Sequence, residues 1–579
     1  MAWGPSLCTV TERVDPELLD AVTDLRGAVA AARFPLEAPR AAEARDQRGQ
    51  LLRQLDDYAL PRLKALDAPL LCVVGGSTGA GKSTLVNSLL GGVVTRSGVL
   101  RPTTRASVLI HHPSDAGWFT TDRVLPELAR VTGGEGDDAD AGAVRLVESR
   151  TLRPGLALLD APDIDSVVQA NRDLARQLLG AADLWVFVTT AARYADAVPW
   201  QMLLQAAERG TSVALVLDRV PEGAMEEVRT DFSAMLREQG LGDAPVFSVP
   251  ESHLTEDGLL PSEEVRALRG WLYSLADDAD ARQAVIRRTL AGTLASLQRR
   301  SLQVAEGVDA QVSVVESLRE DARRGHADAR GRVEEAMSDG SLLRGEVLAR
   351  WQELVGTGEI FKQLDAGVGR LRDRITSFVT GKPRTATTDD LGEALEDGVA
   401  QLLEAQLEAA AAVTARAWRA DPAGEALLER HPDLARPGAE VRERSQQLVH
   451  DWQSDVLDLV RKQAGSKRTT ARYLALGVNG IGVLLMVLVF ASTGGALLGS
   501  EVAIAGGSAV VAQRLLEAVF GDQAVRSLAA AARRNLMERV GTLLDQERAR
   551  YERVLAEVGV SPEVAAHLRS AAAEVEAQR

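Results

Sequence analysis

Gly76-Ser77-Thr78-Gly79-Ala80-Gly81-Lys82-Ser83 has the spacing G-x-x-x-x-G-K-[ST], and the chemistry that this spacing can do is the holding of phosphate. Glycine at 76, 79 and 81 lets the backbone curl so that its amides, with a helix N-terminus behind them, point at phosphate oxygens. The ammonium of Lys82 then reaches the β and γ phosphates of a nucleoside triphosphate, and the Ser83 hydroxyl serves a magnesium ion. Residues Gly76 to Thr84 are therefore assigned as a nucleotide-binding loop. The choice of lysine adds to this. Of the 66 basic residues only six are lysines, at 64, 82, 362, 382, 462 and 467. In so arginine-rich a chain, a retained lysine points to a task that a planar guanidinium performs poorly.

Such a loop works only between a strand and a helix, and both are legible. APLLCVVGG, from Ala68, is a short continuous apolar run, the mark of a strand buried on both faces of a parallel sheet. The helix it feeds runs through Asn87 and Leu90. Further apolar runs at 107–111, 156–159, 183–189, 212–217 and 246–249, most of them separated by helical stretches, predict a doubly wound α/β domain. The acidic, glycine-rich 133–142 reads as a surface loop within it. Before the domain, 15–66 carries leucines at helical spacing, interrupted by Pro35 and Pro39. After it, 280–463 shows helical periodicity alone, with breaks at 380–390 and 421–425. Residues 525–579 are helical again. At 579 residues the chain exceeds what one core can hold, so two or three domains are expected.

The net charge of -16 argues against nucleic acid as the main partner. Two cysteines, Cys8 and Cys72, and a start without a basic, apolar leader point to a reducing, cytoplasmic setting. Cys72 falls within a strand pattern and reads as a small core residue. Adjacent His111 and His112 lack partners at metal-ligand spacing and read as strand-edge residues.

The order of later motifs bears on which nucleotide is bound. Pro102-Thr103-Thr104-Arg105 leads into a strand, LALLDAPD places Asp160 at the end of another, and VALVLDRVP ends a third with Asp218, Arg219, Val220 and Pro221. This succession resembles that of TRAFAC P-loop GTPases, and with the long helices and apolar segment that follow, it is similar to the bacterial dynamin-like GTPases of the dynamin superfamily. The resemblance implies GTP and Mg2+ as ligands. It implies that Thr104, or else Thr103, closes over the γ phosphate and the metal, and that Asp160 holds magnesium through water beside Ser83. By the same token Lys82, Thr104 and Asp160 are the catalytic set, and Asp218 and Arg219 contact the nucleotide base. Two departures stand out. Asp163 replaces the glycine of a DxPG motif, so a carboxylate there must turn away from the phosphate or be repelled by it. Pro221 stands where the family's Asn-Lys-x-Asp places the carboxylate that pairs with guanine. Residues 246–252 are the candidate last base-contacting loop. No ABC-type signature is present, and Ala161 rather than a glutamate follows Asp160.

Residues 473–521 are apolar almost throughout, with basic residues on both flanks. A bilayer core needs about 20 apolar residues per crossing, so Leu474–Ala491 and Ala496–Gln513 form a hairpin with both ends in the cytoplasm. A glycine-rich helical pair buried in a soluble bundle is the alternative. The fold class expected is an α/β P-loop GTPase domain with a mainly parallel sheet, plus a long all-α stalk carrying an apolar membrane hairpin. Its domains are 1–66 (helices on the stalk or neck), 67–275 (GTPase), 276–472 (stalk), 473–521 (hairpin) and 522–579 (helices returning to the stalk). Two functions fit. One is a GTPase at the cytoplasmic face of the cell membrane that remodels lipid through self-association, as a homo-oligomer or paired with a related GTPase. The other is a slow, nucleotide-gated scaffold acting with a partner GTPase.

Overall fold

The computed structural model describes residues 15–95, 107–121, 123–125, 128–132, 143–166, 168–208, 210–221, 223–338, 388–463 and 522–579. They fall into two compact units. The first takes in Met1–Phe34, Pro39–Ala310 and Ser561–Arg579, and the second Pro35–Ala38 and Gln311–Val560.

The first unit is built on a sheet of eight strands: β1 (Leu70–Gly76), β2 (Ser107–His111), β3 (Ala129–Thr132), β4 (Ala143–Glu148), β5 (Leu156–Asp160), β6 (Leu184–Thr190), β7 (Ser212–Val220) and β8 (Val246–Pro250). Their spatial order is β3-β4-β2-β5-β1-β6-β7-β8. All neighbours are parallel except β2 and β5, which run antiparallel. Helices cover both faces, which explains why the strands read as unbroken apolar runs instead of alternating ones. Leu71, Val73, Leu159, Trp185, Phe187 and Leu215 point to one face, packing with Leu174, Leu178 and Phe232. Leu70, Cys72, Val74, Leu158, Val186 and Val216 point to the other, against Leu85, Val86, Leu272 and Ile286. Cys72 is buried, and burial pushes its thiol well above the usual range.

The helices of this unit in chain order are α1 (Pro16–Ala31), α2 (Ala41–Gln54), α3 (Leu60–Lys64), α4 (Lys82–Leu90), α5 (Ala116–Phe119), α6 (Gln169–Gly180), α7 (Ala197–Glu208), α8 (Met225–Glu238) and α9 (Arg266–Asp277), with the opening part of α10 (Ala279–Ser338). A π-helical turn, Leu55–Ala59, joins α2 to α3. Asp15 caps α1 by accepting from the Glu17 amide at 3.0 Å. α1 meets the helix Pro562–Gln578, and at the exposed edge of that contact His567 Nε2 lies 3.0 Å from Asp24 Oδ2. The start of α10 is tied to the sheet by Thr289, whose hydroxyl donates to the Asp183 carbonyl at 2.8 Å and accepts from the Ser212 amide at 3.0 Å.

Two strands, β3 and β4, have no counterpart among the apolar runs. Each is short and carries an arginine, and Arg145 on β4 spends its charge on the Val94 carbonyl at 3.0 Å. A polar residue that finds its partner within the fold erases the pattern by which a strand is read. Residues 133–142, between them, lie outside the described residues. His111 ends β2 buried and stacked on Phe119, with ring centroids 5.5 Å apart.

In the second unit the described elements are all helical: the rest of α10, α11 (Thr388–Arg419), α12 (Pro422–Arg430), α13 (Val441–Gln463) and α14 (Asp522–Glu557), with a 3-10 turn at Pro432–Ala435. Asp421 separates α11 from α12 and caps the latter, accepting from the Ala423 amide at 2.8 Å. The core includes Val333, Leu403, Leu407, Val449, Trp452, Leu536 and Val540. Its aromatic side chains reach backbone carbonyls, as buried polar handles must: Trp418 Nε1 to Leu318 (3.0 Å), Trp452 Nε1 to Ala532 (2.9 Å) and the Tyr551 hydroxyl to Leu434 (2.6 Å). Among the described residues no helix is long and apolar enough to cross a membrane. The apolar stretch 473–521 lies outside them.

Candidate functional site

The end of β1 is where the chain turns from packing to chemistry. β1 lies between β5 and β6, so its last residue is pressed against backbone: a Cβ on Gly76 would stand 2.0 Å from the Val188 carbonyl oxygen. Beyond it the chain coils tightly, with the Ala80 amide donating to the Ser77 carbonyl at 3.1 Å. Gly81 then enters the left-handed region, φ +87°, which opens α4 at Lys82. The Leu85 amide closes the first helical bond onto the Gly81 carbonyl at 2.8 Å. Ser83 and Thr84 stand half-buried in that first turn. Strand, glycine turn and helix therefore follow one another as an anion-binding nest requires.

Lys82 is folded back under this loop. Its Nζ donates to the carbonyls of Gly76 and Ser77, both at 3.0 Å, and forms an ion pair with Asp163 Oδ1. An ammonium has three hydrogens to donate, and these three acceptors take them all.

Ser83 Oγ donates to Asp160 Oδ2 at 2.7 Å. Asp160 is fully buried at the end of β5, in register with Val74 of β1 and Val108 of β2. Burial pushes its carboxyl above the usual carboxylate range, against the opposing pull of the Ser83 hydrogen bond and the Lys82 charge. Among the described residues its second oxygen, Oδ1, is buried with no hydrogen-bond partner, although the Thr95 hydroxyl lies near enough to favour the charged carboxylate. A buried carboxylate oxygen left unmatched beside a serine hydroxyl is the donor set of a hard, oxygen-seeking cation, so these residues fit magnesium. Thr104 and Thr103, assigned from sequence to close this site, lie outside the described residues.

The loop that follows Asp160 is laid along the glycine loop between β1 and α4. The Ala161 amide donates to the Val74 carbonyl at 3.1 Å and the Ile164 amide to the Gly76 carbonyl at 3.4 Å. Asp165 Oδ1 accepts from both the amide and the hydroxyl of Thr78, at 2.6 Å each. Arg193, just past β6, completes the tie by donating to the Thr78 carbonyl and to Asp165 Oδ2, both at 3.0 Å. Burial raises the Asp165 carboxyl, but the Thr78 bonds and the Arg193 guanidinium outweigh it and hold the group below its ordinary range. Neither Asp165 nor Arg193 was marked by any motif. The Asx-like reach of Asp165 back to Thr78 has no fixed spacing, and Arg193 comes from a separate turn. Thr95 was missed as well; Asn87 fixes it by accepting from its amide at 2.8 Å and donating to its carbonyl at 2.7 Å.

At the end of β7 the two base-contacting candidates part company. Asp218 is buried, its Oδ2 only 2.4 Å from where a Cβ on Gly81 would stand. Burial raises its carboxyl to about 6, opposed by the Arg219 amide and guanidinium. Arg219 sits at φ +51° in an irregularity of the β7–β8 pairing, with its side chain exposed. Pro221 follows at the surface. Of 246–252, residues 246–250 form β8 and only 251 and 252 continue into a loop. The structure thus brings Gly76 to Thr84, Asp160 and Asp218 together and leaves the Arg219 side chain in solvent.

No family model and no curated protein matches the chain. Among solved structures it is similar to two of an oligomerised bacterial dynamin pair, described as providing a mechanism for long-range sensing and tethering of membranes. The first is 12% identical with a TM-score of 0.40, covering 92% of this chain and 95% of that one. The second is 11% identical with a TM-score of 0.37, covering 96% and 95%.

Proposed function

We propose that this chain is a dynamin-like GTPase that binds GTP with magnesium in the loop Gly76 to Thr84 and hydrolyses it at the cytoplasmic face of the cell membrane. On this reading the apolar segment 473–513 holds the lipid, and copies of the chain, or a related GTPase, associate when loaded. The observation that carries the nucleotide part is the meeting of Lys82, Ser83 and Asp160 at the mouth of a strand–nest–helix turn, with one Asp160 oxygen unmatched among the described residues. Lys82 meets phosphate charge, Ser83 and Asp160 hold the metal, and the amides of the nest orient the phosphates. Magnesium, when bound, neutralises charge on the β and γ phosphate oxygens. Thr104 would close over the γ phosphate from its own segment. Guanine and membrane rest on the order of motifs and on the apolar length of 473–521 between basic flanks.

The second reading, a slow nucleotide-gated scaffold that works with a partner GTPase, is favoured by two residues. Asp163 places a carboxylate on the phosphate-binding lysine, and Pro221 offers guanine nothing to pair with. Turnover of the full chain with and without liposomes separates the two: stimulation by lipid is expected of the membrane GTPase. Flat, slow turnover with intact nucleotide binding would favour the scaffold. The membrane part is tested by carbonate washing of membranes from expressing cells. The full chain is expected to stay, and a version lacking 473–513 to be released.

A further inference from the structure

We infer that Asp163 is an internal competitor of the nucleotide's phosphate, a residue that sets how tightly this site holds a triphosphate. The inference rests on the nucleotide-site reading above. Beside bound phosphate a carboxylate at 163 must turn away or be repelled. Here Asp163 Oδ1 points at Lys82 and takes the one donor that the carbonyls of Gly76 and Ser77 leave.

The pairing is not an isolated surface contact. Lys82 is 6% exposed and Asp163 33%, so the pair is partly shielded from solvent. The same short loop is held against the nest at two more points, the Ile164 amide on Gly76 and Asp165 on Thr78. A phosphate arriving at Lys82 must therefore displace Asp163 Oδ1. Once displaced, the carboxylate remains within the same loop, tied down by Asp165 and Arg193, where it repels the added charge. A triphosphate, which brings more charge to this point than a diphosphate, is opposed more strongly. A glycine or an uncharged side chain at 163 would leave Lys82 free to meet the phosphate directly.

The test is equilibrium binding of fluorescent, non-hydrolysable GTP and of fluorescent GDP, with magnesium, to the full chain and to Asp163→Asn, Asp163→Gly and Lys82→Ala. Both Asp163 variants are expected to tighten the triphosphate by roughly tenfold and the diphosphate by less. Melting of the nucleotide-free variants, expected to stay close to that of the parent chain, checks that they fold. If Asp163→Asn binds the triphosphate no better than the parent while Lys82→Ala loses binding, the competitor role is wrong and the site stands. If Lys82→Ala binds as well as the parent, the site reading beneath it fails.

Discussion

Asp218 and Gly81, far apart in sequence, meet at the glycine loop that follows β1: a single methyl on Gly81 would come within 2.4 Å of the Asp218 carboxylate. Gly81 is also in the left-handed region at φ +87°, so Gly81→Ala is doubly disfavoured. The variant should lose triphosphate binding even though Lys82 is intact. Asp218→Ala in the same background should restore part of it, since it removes the clash and leaves only the backbone strain. Binding of a labelled triphosphate to the two variants checks this, and no recovery in the double variant would show that the contact does not matter.

Asp218 also gives the fold a pH dependence. Its carboxyl moves from an ordinary 3.8 to about 6 because it is buried, so between those values the folded chain holds a proton that the unfolded chain has released. Stability falls as pH rises through that window, by about 3 kcal/mol once the group is ionised. Asp218→Asn carries no such proton. The variant should therefore match the parent near pH 4 and exceed it above pH 6, measured by denaturant unfolding at each pH. A constant difference across the range would contradict the burial argument.

A buried ion pair holds the N-terminal helices to the sheet. Arg62, on α3, pairs with fully buried Asp183 and donates to the Ala68 and Pro69 carbonyls at 3.1 Å, while Asp183 Oδ2 also accepts from the Leu71 amide at 2.8 Å. Breaking one side strands a charge in the interior. Arg62→Met is expected to cost about 3 to 5 kcal/mol. Pairing it with Asp183→Asn should recover a part, read as the shift in the first unfolding transition.

Base selectivity should be modest. The carboxylate at the end of β7 faces Gly81, Arg219 is turned out to solvent, and Pro221 has no hydrogen-bonding side chain. Competition of ATP against labelled GTP should show discrimination below about a thousandfold, roughly 4 kcal/mol. A larger ratio would mean that another segment reads the base.

Much of the sheet was legible because its strands are buried on both faces, which leaves unbroken apolar runs such as Leu70 to Val74 and Leu156 to Leu159. β3 and β4 were not legible, since Arg130 and Arg145 find partners within the fold and blur the pattern. Lys82 and Ser83 could be singled out because they share one short motif of fixed spacing, and Asp160 because it ends an apolar run; the structure places Ser83 and Asp160 in contact. Asp165 and Arg193 could not be singled out, because they act through contacts across 87 and 115 residues of sequence to Thr78. The pairing of Asp163 with Lys82 was not legible either, because it joins residues 81 apart in sequence with no fixed spacing to announce it.

On the proposed function, phosphate binding turns on Lys82. Equilibrium titration of the full chain and of Lys82→Ala with a fluorescent GTP analogue and magnesium measures it directly. Without the ammonium, phosphate charge in the nest is left unbalanced and Asp163 stands beside it unpaired. The variant should fold as the parent does and show no saturable binding. Affinity equal to that of the parent would contradict the assignment of Gly76 to Thr84 as the nucleotide site.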